Sequence, residues 1–333
     1  MAAQPVRLGI LGTATVASYA LIAPARTCPD VVIAAVGSRD RRRARAFADA
    51  NGIAAAGEYD EVIDDPAIEA VYVALPNALH AEWSVKALRA GKAVLCEKPL
   101  TSNAAEARLC VAEGHRAGLP FVEGFHWRHH PLAIRLSGIV ASGRLGAIAT
   151  VEVRFRYPAR FLKPDDIRLD YSLGGGVLMD AGCYCVNLLR MLLGEPINLI
   201  EANAKCAAPQ VDVAMQAALE FGQGAVGRLV AANDLPGDKF DIECRINAAH
   251  GSVRVTNLFL PHLGAALTVE LDGSRLTEQA VSTASFDFQI ANFAAVVRER
   301  AASPTPADDA IANMTVIDAI YRGAGMRVRG EAP

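Results

Sequence analysis

The sequence predicts two structural parts in series: an α/β domain with a doubly wound parallel sheet, then an α+β domain with a large, mostly antiparallel open sheet. Three observations carry this. The first third alternates short, continuous apolar runs with helical patterns, as a parallel sheet covered on both faces requires. After about residue 124, strict alternation of apolar and polar residues takes over, as in a sheet with one wet face. With 333 residues, 52% of them hydrophobic, the chain exceeds one ordinary core and supplies apolar material for two.

In order along the chain, residues 6–11 are a strand-length apolar run, 16–25 a helical pattern and 31–36 a second strand. Residues 41–50 are helical, 70–75 a buried strand, 78–90 a helix, 93–96 a strand, 103–117 a helix and 121–123 a last short strand. Right-handed crossovers between such strands give a doubly wound order. This part, residues 1–123, is the first domain.

A helix over 131–142 leads into 148–157, where Val151, Val153 and Phe155 alternate with Glu152, Arg154 and Arg156. That spacing is a half-buried strand. Further strands are expected at 197–206, 211–221, 225–233, 241–247, 252–256 and 267–271, interrupted after 157 by a helix over 177–193. Helices over 286–300 and 307–324 close the second domain, residues 124–333. No internal repeat or low-complexity tail is visible.

A net charge of −3 argues against a nucleic-acid partner, which would call for a basic face. Seven cysteines (Cys28, Cys96, Cys110, Cys183, Cys185, Cys206, Cys244) are odd in number and form no C-x-x-C pair, so no metal is expected and reduced thiols are. Residues 8–25 carry no charge, Arg7 precedes them, and Ala23-Pro24-Ala25 has the look of a cleavage site. Gly12, Thr13, Thr15 and Ser18 interrupt the stretch, and its first run has strand length. It is read as structure in a cytoplasmic protein with no membrane contact.

The first strand runs into Gly12-Thr13-Ala14-Thr15-Val16-Ala17, where a dinucleotide-binding Rossmann domain needs G-x-G-x-x-G/A. Gly12 permits the strand-to-helix turn, and the helix start offers free N–H groups to a pyrophosphate. Ala17 still allows close packing. Ala14 puts a methyl where a second glycine is expected and weakens the motif. An ordinary strand–helix turn would need no ligand. Gly12, Thr13, Ala14 and Val16 are the cofactor-binding candidates here.

NAD-selecting sites usually carry Asp or Glu at the end of the second strand. Here Val36-Gly37 is followed by Ser38 and Arg39, with Arg43 one helical turn on. A hydroxyl and guanidinium groups suit a 2′-phosphate, so NADP is favoured. Asp40 leaves NAD use open, and Arg41, Arg42 and Arg45 read as a solvated basic face. Leu75-Pro76-Asn77, with His80 one turn later, and Glu97-Lys98-Pro99 follow two further strands at the carboxyl edge, where a ligand crevice forms. Pro99 keeps Lys98 out of a helix. By spacing alone Lys98 could equally be a surface lysine.

Together with Gly174-Gly175-Gly176-Val177-Leu178-Met179-Asp180-Ala181-Gly182-Cys183-Tyr184, these residues resemble the glucose-fructose oxidoreductase/inositol dehydrogenase (Gfo/Idh/MocA) family over nearly the whole chain. The resemblance implies a C-terminal sheet that forms homodimer or homotetramer contacts, and Lys98 beside the nicotinamide and substrate. Many members have His at the Tyr184 position and Asp at the Asn187 position. The tyrosine resembles the branch of dihydrodiol dehydrogenase, NADP-linked xylose dehydrogenase and sugar ketoreductases.

The three glycines allow a tight turn into the helix, on which Asp180 and Tyr184, four residues apart, share a face. Tyrosine is a weak base at its reference pKa of about 10. A Lys98 ammonium nearby would favour the phenolate. Tyr184 would then take the hydroxyl proton of a sugar or cyclic diol as hydride leaves for the nicotinamide. Asp180 would orient the substrate or Lys98. In Phe125-His126-Trp127-Arg128-His129-His130, adjacent histidines rarely chelate together. The family resemblance instead makes Trp127 and Arg128 cofactor- or substrate-facing, and makes Arg168 part of a substrate-side loop. Two other classes are a cofactor-binding regulator without turnover and a glycoside hydrolase assisted by NAD. Lys98, Asp180 and Tyr184 speak against the first, and Ser38-Arg39 against the second.

Overall fold

A computed structural model describes residues 4–331. The chain divides into two compact units. The first runs up to His129 and takes in Phe286–Ile311; the second runs from His130 to Ser285 and resumes at Ala312. The segment Phe286–Ile311, which the sequence pattern leaves in the second domain, thus packs with the first.

The first unit is built on six parallel strands: β1 (Val6–Leu11), β2 (Val31–Gly37), β3 (Ala55–Gly57), β4 (Ala70–Val73), β5 (Ala93–Cys96) and β6 (Phe121–Glu123). Their order is β3-β2-β1-β4-β5-β6, so the direction of winding reverses between β1 and β4. β1, within the uncharged stretch that mimics a leader, pairs with β2 on one side and β4 on the other. Its Val6, Leu8 and Ile10 are fully buried, as are Ala70 and Tyr72 of β4 and Leu95 of β5 on the same side of the sheet. Ile290, Phe293 and Ala294 of the helix Ser285–Glu299 join this cluster, which explains why a C-terminal segment belongs here. Full burial of a side chain such as Phe293 contributes about 1.5–3 kcal/mol. β3 and the following helix Tyr59–Asp64 have no counterpart in the sequence reading.

The second unit carries an eight-stranded sheet. Its strands are β7 (Ile148–Pro158), β8 (Asn198–Ala208), β9 (Val211–Glu220), β10 (Val226–Leu235), β11 (Asp241–Ala248), β12 (Gly251–Thr256), β13 (Ala266–Leu271) and β14 (Ser274–Gln279). The order is β14-β13-β12-β11-β7-β10-β9-β8, antiparallel throughout except for the parallel pair β10–β7. Val151, Val153 and Phe155 of β7 are buried, and the helix Cys183–Leu193 packs against this strand. On the other face Arg154 pairs with Asp241 at 3.3 Å and Glu243 at 2.9 Å, and Arg156 with Asp234 at 3.0 Å. Burial raises the Glu243 carboxyl, but hydrogen bonds from Arg245 and Arg254 bring it below its ordinary range.

The sequence predicts one continuous helix over 177–193. Instead, a π-helical turn at Leu178–Gly182 precedes the α-helix Cys183–Leu193. Such wide turns recur at functional sites. The helical stretch Tyr171–Leu193 is long and apolar enough to cross a membrane by composition, yet 83% of that window is buried inside the protein.

Candidate active site

In the first unit the turn after β1 needs glycine for two reasons. Gly12 has φ +112°, and a Cβ there would lie 2.3 Å from the Ala74 carbonyl oxygen. Ala14, the residue that weakens the sequence motif, is extended (φ −73°, ψ 147°) and packs against the apolar core. Its methyl is therefore accommodated without strain. Thr13 and Val16 are half-buried, and the first turn of the helix Thr15–Ala25 carries no acidic side chain. That leaves an N-terminus suited to an anion.

The end of β2 sorts its charged residues. Asp40 caps the helix Arg41–Asn51, accepting from the Arg42 N–H at 2.8 Å and the Arg43 N–H at 3.4 Å. Arg41 pairs with Glu58 and Glu61, and Arg45 with Asp49. Arg39 and Arg43 are exposed and, among the described residues, their guanidinium groups have no hydrogen-bond or ion-pair partner. Ser38 is buried, its Oγ 3.4 Å from the Asp40 N–H. The chain thus presents the uncommitted guanidinium groups of Arg39, Arg42 and Arg43 near the strand end while the Asp40 carboxylate is engaged in capping.

Lys98 sits on a braced loop. Three buried side chains hold that loop. His80, fully buried, places Nδ1 2.9 Å from the Pro99 carbonyl oxygen and Nε2 2.8 Å from that of Leu75. Burial holds its imidazole below the ordinary range. Glu97 accepts a short hydrogen bond from the Tyr72 hydroxyl, and Glu123 accepts from the Leu100 N–H at 2.8 Å. The Lys98–Pro99 peptide bond is cis, and Lys98 itself is half-buried. His80 thus lies between the ends of two strand-following loops, its neutral ring donating its single N–H to one of the two carbonyl oxygens. Pro76 precedes the helix Asn77–Arg89, and Pro76 and Asn77 are half-buried beside a buried Leu75. Trp127 is fully buried, and Arg128 pairs with Asp309 at 3.2 Å. Among the described residues no three His, Cys, Asp or Glu side chains group as a metal site.

In the second unit the glycine run does more than turn. A Cβ on Gly175 would lie 2.7 Å from both the Arg168 and Asp170 carbonyl oxygens, and Gly176 (φ +126°) donates its N–H to the former at 2.9 Å. The loop bearing Arg168 is therefore pressed onto the glycines. Asp180, on the π-turn, accepts from the Tyr157 hydroxyl at 2.8 Å and from Arg168 Nη1 at 3.4 Å, both at Oδ2. Arg168 is also held by Asp166, Nε to Oδ1 at 2.8 Å. Burial works against the charge on Arg168, but Asp166 and Asp180 hold it above its ordinary value. Burial, with the Asp180 carboxylate next, pushes the Tyr157 phenol far up, so it donates as a neutral hydroxyl.

Tyr184 is mostly buried, its ring 5.5 Å from Phe155 and 5.2 Å from Phe259. Within this unit the structure joins Asp180 and Arg168 into one cluster and sets Tyr184 in an aromatic wall. Sequence reasoning missed Tyr157. The signal was present: it continues the inward series Val151, Val153, Phe155 with a ring that has a polar tip.

Residues 6–125 match the Gfo/Idh/MocA oxidoreductase family with its NAD-binding Rossmann fold, and residues 134–254 match the Gfo/Idh/MocA C-terminal domain. A D-xylose 1-dehydrogenase (NADP+) of Haloferax volcanii is 36% identical over 321 residues, covering 95% of this chain and 96% of the relative. A trans-1,2-dihydrobenzene-1,2-diol dehydrogenase of Oryctolagus cuniculus is 33% identical over 66% of this chain and 65% of its own. Among solved structures, a 3-ketoreductase from Actinomadura kijaniata in complex with NADP and TDP-benzene superposes with a TM-score of 0.86. It is 27% identical, with 97% of this chain and 98% of that one covered.

Proposed function

Because the chain belongs to the Gfo/Idh/MocA family of oxidoreductases, we propose that it is an NADP-dependent dehydrogenase or reductase acting on a sugar, sugar derivative or cyclic diol. The observation that carries the cofactor choice is the end of β2, where Arg39 and Arg43 are uncommitted and Asp40 is spent on capping. A 2′-phosphate supplies the anionic partner these guanidinium groups lack, whereas the ribose diol of NAD calls for a free carboxylate. Gly12 makes the turn that brings the start of Thr15–Ala25 to the strand end, and that start, with no acidic side chain in its first turn, fits a pyrophosphate.

The bound nicotinamide supplies the acceptor or donor of the hydride. The chain's own residues manage the proton and the substrate. Tyr184 takes the hydroxyl proton in oxidation and returns it in reduction. Lys98, which the family resemblance places beside the nicotinamide and substrate, contributes positive charge that steadies a developing alkoxide. Asp180, with Oδ2 held by Tyr157 and Arg168, has its carboxylate fixed to orient substrate hydroxyls. The loop at Leu75, Pro76 and Asn77, with Glu97, Trp127 and Arg128, completes the cofactor side in this reading. His80 acts there by bracing.

Self-association as a homodimer or homotetramer through the outer face of the eight-stranded sheet follows from the family resemblance. Seven cysteines, none in a disulfide among the described residues, suit a reducing cytoplasm. The test is turnover of NADP with pentoses, hexoses and cyclic diols by the wild type and Tyr184→Phe. Turnover should fall by about 100-fold or more in the variant, with NADP affinity changed less than about twofold. Equal turnover would remove Tyr184 from the reaction.

A further inference from the structure

The turn that carries Asp180 and leads into the helix of Tyr184 rests on a wholly buried ion pair that the proposed reaction does not use. Asp212 of β9 and Arg329 near the chain's end meet at 2.7 Å, each side chain with 0% exposure. Buried pairs of this kind are weak sources of net stability, because desolvation offsets much of their attraction. Their contacts point to another role. Arg329 Nε donates to the Gly175 carbonyl oxygen at 2.5 Å, and Asp212 Oδ2 accepts from the Leu178 N–H at 2.7 Å.

These two backbone anchors bracket Gly176. A Cβ there would lie 2.1 Å from Asp212 Oδ1, 2.6 Å from Arg329 Nη2 and 2.8 Å from the Tyr321 hydroxyl. The main chain therefore lies directly on the pair, and only glycine fits. The pair is itself fixed. Tyr321 donates to Asp212 Oδ1 at 3.0 Å, and the Arg329 guanidinium sits 4.0 Å from the Tyr321 ring centroid and 5.1 Å from that of Tyr171. Leu178 is the first residue of the π-turn, so the anchor on its N–H lies two residues before Asp180 and six before Tyr184.

We propose that Asp212 and Arg329 are positioning residues, which fix Gly175 and Leu178 and thereby set where Asp180 and Tyr184 stand. This rests on the roles given above to Asp180 and Tyr184. The pair touches neither substrate nor cofactor in this account; it acts through the main chain. Asp212 meets each anchor with a separate oxygen, so an amide there turns an N–H₂ toward either the Leu178 N–H or the Arg329 guanidinium. Lysine in place of Arg329 keeps the charge and loses the planar fork.

Asp212→Asn and Arg329→Lys are compared with wild type and Tyr184→Phe, with turnover expressed per NADPH-binding site counted by fluorescence titration. Each is expected to lower kcat per site by about 10-fold or more, because small displacements of reacting groups are costly. The KM for NADP should stay within about twofold, and Asp212→Asn in the Tyr184→Phe background should add less than about twofold. A lower melting temperature with kcat per site unchanged in Arg329→Lys would overturn the proposal, even if Asp212→Asn fails to fold. If Tyr184→Phe itself keeps full turnover, the assignment of Tyr184 fails and the positioning role falls with it. A normal Arg329→Lys beside an impaired Tyr184→Phe rejects the positioning role alone.

Discussion

We attribute the cofactor preference to single side chains at the end of β2. Arg39 and Arg43 extend from a short stretch in which every other cation except Arg42 has a carboxylate partner. A charge-assisted contact to a phosphate contributes about 1.5–3 kcal/mol, so Arg39→Ala should weaken NADP binding about 10- to 100-fold. NAD binding should change little, since no phosphate is lost at that position. Titration of both cofactors checks this, and an equal loss for both would place Arg39 elsewhere. The sequence alone suggested the pair of arginines, because their spacing put both on one turn. It could not assign Asp40, whose capping bonds to Arg42 and Arg43 are visible only once the backbone is in place. The same holds for His80, whose two carbonyl contacts come from loops nineteen and five residues away.

Among the elements, those with strong internal periodicity were legible and those without it were not. The alternation in β7 and the continuous apolar runs of β1, β4 and β5 match the observed strands within a few residues. β3 is only Ala55–Gly57, and a run of two alanines and a glycine has no period to read. β14 is an edge strand with mostly exposed residues, so it lacks the apolar face that marks a half-buried strand. The π-turn at Leu178–Gly182 escaped because nothing in its five residues separates a π-helical from an α-helical turn. The surroundings of Gly176 were equally hidden, since its neighbours Asp212, Tyr321 and Arg329 lie 36, 145 and 153 positions further along the chain. The sequence marked the glycines but not what presses on them.

Across the whole molecule, histidine burial links pH to stability. Burial, helped by the Arg128 charge, pushes His129 down to about 3 from an ordinary 6.5; its Nε2 lies 3.4 Å from Thr305 Oγ1. The folded protein keeps this ring neutral while the unfolded chain takes up a proton as pH falls below about 6.5, so stability declines through that window. At about 1.4 kcal/mol per unit, the loss reaches about 2 kcal/mol near pH 5. Urea unfolding at neutral pH and near that value should show it, and His129→Gln should remove that part of the difference. An undiminished pH dependence in the variant would contradict the assignment. The assignment of Phe286–Ile311 to the first unit was likewise beyond sequence reading, because its apolar stripe fits either sheet and only packing decides.

This chain passes a hydride between a sugar or diol substrate and NADP, and we propose that Tyr184 handles the proton. The most direct measurement supplies NADP and a panel of aldoses and cyclic diols deuterated at every carbon, then weighs the reduced cofactor. NADPH one mass unit heavier is expected with at least one substrate, and almost none from Tyr184→Phe. Reduced cofactor without deuterium, or tight NADP binding with no reduction by any member of the panel, would contradict it.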